Sequence, residues 1–284
     1  MAAGRLRPIV YIILACACFA TMDAINKSLT QNFAVAQIMA IRFAIFVVLG
    51  CALARSGPWI VLKSKAPWWQ ALRTVVLLAE MLAFVLAFRY LPLADVHAVA
   101  AAAPLLVTAL AFFFLGEKVD FVGWLLVAGG MVGAALVVGP AFDDFGPAMW
   151  IAVVATFTWG VYQIVTRIVG GLDSTHVTTL HTPIVGLVVL GTVAAFDWQW
   201  PDPASWVLLA AGGVLGAGAH IFIVRALALA PASELQPYNY FMLVFATVLG
   251  AAIYGDIPGF WTWTGAAVVV ACGLVAMRRS ARRA

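Results

Sequence analysis

The sequence predicts an all-α polytopic membrane protein with ten transmembrane helices, arranged as two inverted repeats of five helices with both termini in the cytoplasm. Hydrophobic residues make up 65% of the 284-residue chain and charged residues only 10%. A soluble domain carries roughly 25% charged residues, so most of this chain is expected to lie in lipid. Apolar runs recur along the whole length, and the two halves of the chain resemble each other.

Ten apolar segments lie between proline, glycine and charged residues, and each approaches the length of about 20 residues that crosses a bilayer. They are predicted at residues 8–29, 34–54, 68–91, 95–115, 121–139, 148–169, 176–196, 205–230, 233–254 and 260–277. The first segment follows Arg5 and Arg7, as the apolar part of a signal peptide would. It extends to about Leu29 and similar segments follow, so it is predicted to be retained as a span.

The distribution of basic residues predicts the orientation of these spans. With a cytoplasmic N-terminus, 13 of the 16 Lys and Arg residues fall at cytoplasmic ends, Lys27 and Arg89 fall at the outer face, and Arg42 lies inside the second span. Basic residues favour the cytoplasmic side of a membrane. An odd number of spans would place the four C-terminal arginines outside, so ten spans are predicted, in a bacterial inner membrane.

Residues 1–140 and 141–284 are predicted to form the two repeats. The third and eighth spans are similar over Pro67–Arg89 and Pro203–Arg225, at an offset of 136 residues. Further pairs, at offsets of 139 or 140, are Phe19-Ala20 with Trp159-Gly160, Lys27 with Arg167, Arg42 with His181, and "LGEK" (115–118) with "YGDI" (254–257). Five is odd, so the second copy enters the membrane in the opposite orientation, as in many secondary transporters.

This two-copy pattern resembles the EamA branch of the drug/metabolite transporter superfamily over nearly the whole chain. The residues that carry the resemblance are Trp159-Gly160 ahead of Arg167, Arg42, the alanine-rich fourth span with Pro104, Gly116-Glu117, and Gly123, Gly130, Gly265 and Gly273. The match is closest to bacterial inner-membrane exporters of aromatic and other amino acids. Two departures are Phe19-Ala20, where the family has Trp-Gly, and Met242, near the position of a family proline.

Prolines and small residues are predicted to shape the moving helices. Pro104 should kink the fourth span, because proline removes a backbone hydrogen bond and clashes with the preceding turn. Pro183 and Pro237 are further candidates for bends, and gating or simple shaping of the helix both fit them. Gly129-x-x-x-Gly133 and Gly212-x-x-x-Gly216 provide surfaces on which helices can approach closely, either to slide or to pack statically.

Glu80 and Arg42 are the most informative polar residues, because an ionisable group at membrane depth usually faces a cavity or a partner. Glu80 lies about 16 Å and Arg42 about 12 Å from the outer ends of their spans, at 1.5 Å per residue. These depths allow a structural ion pair between them. Alternatively, Glu80 faces the cavity and binds a substrate ammonium or carries a proton.

His220 lies near the middle of the eighth span, where it is expected either to face the pathway as a proton relay or carboxylate contact or to be a hydrogen-bonded packing residue. Aromatic and polar residues at helical spacing suggest a pocket for a small amphipathic solute. The residues predicted to line this cavity are Asp23, Asn26, Glu80, Phe84, Trp159, Tyr162, Gln163, His220, Tyr238 and Asn239.

The predicted function is export of aromatic or neutral amino acids by alternating access, in contact with the lipid bilayer and with no nucleic acid. A permease for another small metabolite or drug is the alternative, and an intramembrane enzyme or a non-transporting scaffold is a remote one. The scattered histidines and cysteines form no recognised catalytic or metal motif, so no cofactor or metal is predicted. Substrate, direction, proton coupling and oligomeric state do not follow from the sequence.

Overall fold

The computed structural model describes residues 2–54, 57–116, 119–173, 175–227, 229 and 236–283, and the regular secondary structure in these residues is entirely helical. The helices are α1 (Ala2–Leu29), α2 (Val35–Ala54), α3 (Pro67–Tyr90), α4 (Leu93–Ala100), α5 (Ala103–Leu115), α6 (Phe121–Phe145), α7 (Ala148–Gly170), α8 (Thr175–Ala195), α9 (Pro203–Leu227), α10 (Phe241–Leu249) and α11 (Phe260–Arg283). Short 3-10 helices cover Pro58–Lys63 and Gln236–Tyr240, and a π-helical turn covers Gly250–Tyr254.

Each predicted span corresponds to a helical segment within the described residues. Seven segments are long and apolar enough to cross a membrane, and three further apolar ones, ending at Ala195, Tyr254 and Ala276, have 10–17 residues. The predicted end of the eighth span at residue 230, the predicted start of the ninth at 233, and Glu117 and Lys118 lie outside the described residues.

The fourth span is two helices, whereas the sequence predicts one kinked helix. The helix stops at Ala100, Ala101 and Ala102 form a turn, and α5 resumes with Pro104 as its second residue. Proline suits the first turn of a helix because its missing N–H has no intrahelical partner there. The ninth span differs again, since it passes from 3-10 helix through α10 to the π-helical turn.

A glycine in the left-handed region closes the fourth span of each half. Gly116 follows α5 with a φ of 66°, and Gly255 follows the π-helical turn with a φ of 72°. A side chain would be strained at these dihedral angles, which glycine adopts at little cost. The glycines of "LGEK" and "YGDI" therefore share one conformation at equivalent positions of the two halves.

Two pairs of helices pack against each other in antiparallel directions. In the pair α2 and α8, Gly50 lies against Leu180 and Gly186 lies against Phe43, so the residue numbers run in opposite senses. The helices α6 and α11 pair in the same way. The helices α1 and α9 also pack against each other, as do α3 and α7.

A close backbone contact joins α6 to α11 through Gly133 and Gly265. A Cβ atom on Gly265 would lie 2.4 Å from the carbonyl oxygen of Gly133, and one on Gly133 would lie 2.9 Å from the carbonyl oxygen of Gly265. In lipid, helices associate through such close approach, because no hydrophobic effect drives them together. The two glycines set the distance between the helices that end each half.

Gly265→Ala should destabilise the protein by about 1–3 kcal/mol, because the added methyl group meets rigid backbone and forces the two helices apart. Thermal unfolding in detergent, followed by size-exclusion chromatography, measures the effect. Gly191→Ala on α8 is the matched control, since its Cβ would meet only Leu187 at 3.9 Å. Equal melting temperatures for the two variants would contradict this role for Gly265.

Candidate functional site

Three charged residues from three helices lie together inside the bundle. Asp23 of α1, Arg42 of α2 and Glu80 of α3 are 8%, 4% and 7% exposed, and Arg42 interacts electrostatically with both carboxylates. The nearest polar contacts of the guanidinium are the sulfur atoms of Met22 at 3.4 Å and Met39 at 2.7 Å. Within the described residues, no ion pair shorter than 4.0 Å joins Arg42 to Glu80, so the two charges act on each other over a longer distance.

His97 of α4 adds a fourth ionisable group to this cluster. Its Nε2 atom lies 3.2 Å from Oδ2 of Asp23, although the angle is not that of a hydrogen bond. Its ring lies against Phe84 and Phe88, with centroid distances of 6.4 and 5.6 Å. Together Asp23, Arg42, Glu80 and His97 form what we term the acidic cluster, with Phe84 on its edge.

Several polar atoms in and beside the acidic cluster lack a partner. Nδ2 of Asn26 and Nε of Arg42 are buried without a hydrogen bond. Glu80 likewise has no hydrogen-bond partner among the residues that the structure describes. An unsatisfied buried polar group costs about 1–3 kcal/mol and more when charged. Two donors and one acceptor are therefore available to a ligand.

His220 marks a second part of the pathway. Its side chain is exposed although it lies within the transmembrane helix α9, and its Nδ1 is 2.9 Å from the carbonyl oxygen of Gly216. Its ring makes edge contacts with Phe19 and Phe46, at centroid distances of 5.1 and 5.6 Å. His220 also interacts electrostatically with Arg42 and Arg73. The imidazole is exposed although it lies near residues of the bundle interior, which indicates that it borders a cavity.

A polar network around Arg73 closes one end of the bundle. The guanidinium, on α3, donates to the hydroxyl groups of Tyr162, Thr166 and Thr182 and to the carbonyl oxygen of Thr178, at 2.6 to 3.1 Å. It also lies over the Tyr162 ring, which stacks on Trp159 at 5.4 Å. These contacts, the Arg73 network, join α3 to α7 and α8.

A second network, around Lys27, closes the opposite end. Nζ of Lys27 lies 2.6 Å from Oδ2 of Asp256 and 3.0 Å from the carbonyl oxygen of Leu91, and 4.9 Å from the ring centre of Tyr254. The Tyr254 and Ser28 hydroxyl groups are 2.6 Å apart. On α3 and its end, Glu80 is seven residues from Arg73 and eleven from Leu91, or about 10 and 16 Å. The acidic cluster thus lies between the Arg73 network and the network around Lys27.

The structure brings only some of the predicted residues together. Asp23, Asn26, Arg42, Glu80 and Phe84 lie at the acidic cluster, while Trp159 and Tyr162 belong to the Arg73 network. Gln163 is half-buried on α7. Tyr238 packs against the buried cluster of Ile12, Cys16 and Ala226, and its carbonyl oxygen accepts a contact of 3.7 Å from the Cys16 thiol. Asn239 is exposed.

The three predicted bend positions have different surroundings. Pro104 follows the interruption of the fourth span, and Pro183 lies inside the uninterrupted helix α8. Pro237 lies in the 3-10 helix Gln236–Tyr240, and its side chain is outside the described residues. Of these two prolines, Pro104 follows an interruption of its span and Pro183 does not.

Sequence reasoning missed three contacts: Asp23 with His97, the Arg73 network and the pairing of Lys27 with Asp256. Arg73 was assigned to the charged end of its span, although it is 6% exposed and the following residue is the equally buried Thr74. A basic residue six positions inside a span was the available signal. The other two contacts join residues far apart in sequence, and no local pattern indicates them.

Comparison with known proteins gives the family. The EamA-like transporter family matches the chain twice, over residues 6–139 and 146–278. The chain belongs to the EamA-like transporter family. It is a multi-pass protein of the bacterial inner membrane, and a transporter rather than an enzyme.

The relatives of this EamA-like transporter carry different solutes. The riboflavin transporter of Rhizobium johnstonii is 27% identical, covering 96% of this chain and 92% of the relative. The S-adenosylmethionine uptake transporter of Rickettsia felis is 25% identical over 74% and 71% of the two chains. The pseudopaline exporter of Pseudomonas aeruginosa is 26% identical over 93% and 94%. These names give no support to amino-acid specificity or to export as the general direction.

One solved crystal structure shares the fold. It is 22% identical in sequence, has a TM-score of 0.66 and covers 95% of this chain and 96% of its own. Sequence identity this low supports a shared fold and no shared function.

Asp173, in the loop between α7 and α8, binds residues in the loop before α3 and in the first turn of α3. These contacts lie at the end of the bundle that holds the Arg73 network. The Asp173 carboxylate accepts from the Ser64 hydroxyl at 2.5 Å, the Lys65 backbone N–H at 2.6 Å and the Gln70 amide at 2.9 Å. Partial burial acts to raise the pKa of Asp173, but the hydrogen bonds outweigh it and hold the pKa below the ordinary value of 3.8. The ionised form is therefore the one that stabilises the fold.

Asp173→Asn should lower the melting temperature at neutral pH by a few degrees, because the amide cannot accept all these bonds. A depressed pKa gives stability that is present above pH 3.8 and is lost as the pH falls through the lowered value. The difference in melting temperature between wild type and variant should therefore shrink below about pH 4. A difference that stays constant from pH 7 to pH 3 would contradict this assignment.

Proposed function

We propose that this chain is a secondary transporter that moves a small planar heterocyclic metabolite such as riboflavin by alternating access around the acidic cluster. The observation that carries the proposal is a set of unpartnered polar groups that lies between the Arg73 network and the Lys27 network. Asn26 Nδ2, Arg42 Nε and the Glu80 carboxylate are buried in a bundle where lipid offers no replacement partner. A solute with both acceptors and donors would satisfy them.

The chemistry around these groups favours a flat aromatic solute. The rings of Phe84 and Phe88 lie at the acidic cluster, and those of Phe19 and Phe46 lie beside His220. Aromatic faces bind a planar ring, while a few directed polar groups orient it. Relatives named as riboflavin transporters in Rhizobium johnstonii and Vibrio cholerae match 96% and 92% of this chain, which supports the same solute class.

An amino-acid exporter is the second candidate function. The observation that favours it is the opposite charge of Glu80 and Arg42 at similar depth, since these two groups suit the ammonium and the carboxylate of one zwitterion. In that case the aromatic residues would accept the side chain of the amino acid.

The proposed architecture has two five-helix repeats, residues 1–140 and 141–284, in opposite orientations, with both termini in the cytoplasm. Antiparallel packing of α2 on α8 and of α6 on α11 supports it, because inverted repeats place equivalent helices in opposite directions. The double match of the family and the distribution of basic residues support it further. Alternating access would then exchange the Arg73 network and the Lys27 network as the closed end.

Purified protein in liposomes should exchange internal for external solute without ATP. A panel of radiolabelled riboflavin, S-adenosylmethionine and phenylalanine, measured by counterflow, separates the candidates. We expect riboflavin to exchange at least tenfold faster than in empty liposomes. Exchange of phenylalanine alone would support the amino-acid exporter instead of the transporter of a planar heterocycle. Exchange of none of the three solutes would contradict both functions.

Cysteine-containing tags appended to either terminus should react with a membrane-impermeant maleimide from the same face of the membrane. Asn32→Cys, in the turn between α1 and α2, should react from the opposite face. The untagged protein is the control, because its four cysteines lie within α1, α2 and α11. Labelling of the two termini from opposite faces would contradict the inverted repeat.

A further inference from the structure

The formal charge of the acidic cluster does not balance. Asp23 and Glu80 contribute two negative charges, and the guanidinium of Arg42 contributes one positive charge. The net charge of −1 lies in a bundle surrounded by lipid, where an uncompensated charge is costly. One additional proton makes the cluster neutral.

Neighbouring elements do not supply the missing cation within contact distance. Arg73 lies about 10 Å along α3 from Glu80, in its own network. Lys27 of α1 is paired with Asp256, and Asp95 of α4 accepts from Thr262 at 2.6 Å. Among the other titratable groups of the packed helices, Tyr162 on α7 bonds Arg73 and His181 on α8 bonds Thr74. His220 faces Arg42, which disfavours a second positive charge there.

We propose that Glu80 is the proton-binding residue of this transporter and that the Asp23–His97 contact responds to its protonation, so that solute moves in exchange for a proton. This inference rests on the proposed transport function. Glu80 is chosen because its carboxylate is unpartnered within the described residues, whereas Asp23 has His97 within 3.2 Å. The proton comes from water on one side and returns to water on the other, and no covalent bond to carbon changes.

Competition for one guanidinium links the proton to helix movement. When Glu80 is ionised, Arg42 is shared between two carboxylates, and Asp23 retains its contact with His97, which holds α1 to α4. When Glu80 is neutral, the charge of Arg42 is balanced by Asp23 alone, which draws Asp23 away from His97. The contact that loosens lies one turn from Lys27 and one turn from the break at Ala101 and Ala102. Protonation therefore weakens the attachment between the broken helix and the end of α1 that carries the second closure.

The test compares driven uptake with counterflow in the same liposomes, for each of the three panel solutes. With the interior more acidic by one pH unit, wild type should accumulate the solute that exchanges by up to about tenfold, the limit for one proton per neutral solute. Nigericin should abolish the accumulation but not the exchange. In Glu80→Gln, the ratio of driven uptake to counterflow should fall at least fivefold.

Asp202→Asn is the matched control, because this carboxylate caps α9 by accepting from the Ser205 backbone N–H at the surface. Its ratio of driven uptake to counterflow should equal that of wild type. An unchanged ratio in Glu80→Gln would overturn the assignment of the proton to Glu80. Counterflow in wild type without any response to the pH gradient would overturn proton coupling while leaving transport intact. Absence of all counterflow would instead overturn the transport function itself.

A measurement on wild type alone covers the case in which Glu80→Gln does not fold. Addition of the exchanging panel solute to protein in weakly buffered detergent should release about one proton per molecule, because solute and proton compete for the site. A pH-sensitive dye reports the release. No release at any pH between 5 and 8 would overturn the proposal.

Discussion

The electrostatic interaction of one buried guanidinium with two buried carboxylates is the constraint on which the centre of this bundle depends. Arg42, Asp23 and Glu80 come from three different helices and are each less than 10% exposed. A charge facing lipid is unfavourable by several kcal/mol, so none of these helices can rotate its charged face outwards. Removing one member strands the others, because a buried charge without a partner costs more than the pair contributes. The acidic cluster thus fixes the rotation of α1, α2 and α3 about their axes.

The course of the helices could be predicted from the sequence because lipid makes one simple demand. Every backbone polar group must be satisfied within its own segment, so each long apolar run becomes a helix, and proline, glycine and charge mark its ends. The predicted third span, 68–91, differs from the helix α3 by one residue at each end. The predicted sixth span, 148–169, begins at the same residue as α7 and ends one residue earlier. The break of the fourth span at Ala101 and Ala102 was not predictable in the same way. Proline permits either a kink or an interruption, and packing of α4 and α5 against different neighbours decides between them.

The depth of the site residues within the membrane could be predicted from the sequence, but the residues that they contact could not. Counting residues from a span end places Glu80 and Arg42 at similar depths, since each residue advances a helix by a fixed rise. Rotation of one helix relative to another is set by packing of many side chains, and no spacing within either helix reports it. For that reason Arg42 and Glu80 can lie at similar depths and still interact only over a longer distance. His97 reaches Asp23 from α4, and no spacing within α1 indicates this contact. The partners of Arg73 are not indicated by the sequence for the same reason, because they lie on α7 and α8.

The family model matches the chain twice, and the two matched segments differ in charge at the acidic cluster. At the repeat offsets of 136 to 140, Asp23 corresponds to Gln163, Arg42 to His181 and Glu80 to Gly216. The charged members of the acidic cluster therefore face neutral counterparts, while the left-handed glycines 116 and 255 and the antiparallel pairs are shared. An exchange of conformations between the halves would move identical scaffolds but leave the charge on one side. The two access states then differ in electrostatic free energy, and a charge-neutralising proton or solute shifts the balance between them by the amount it binds one state better than the other.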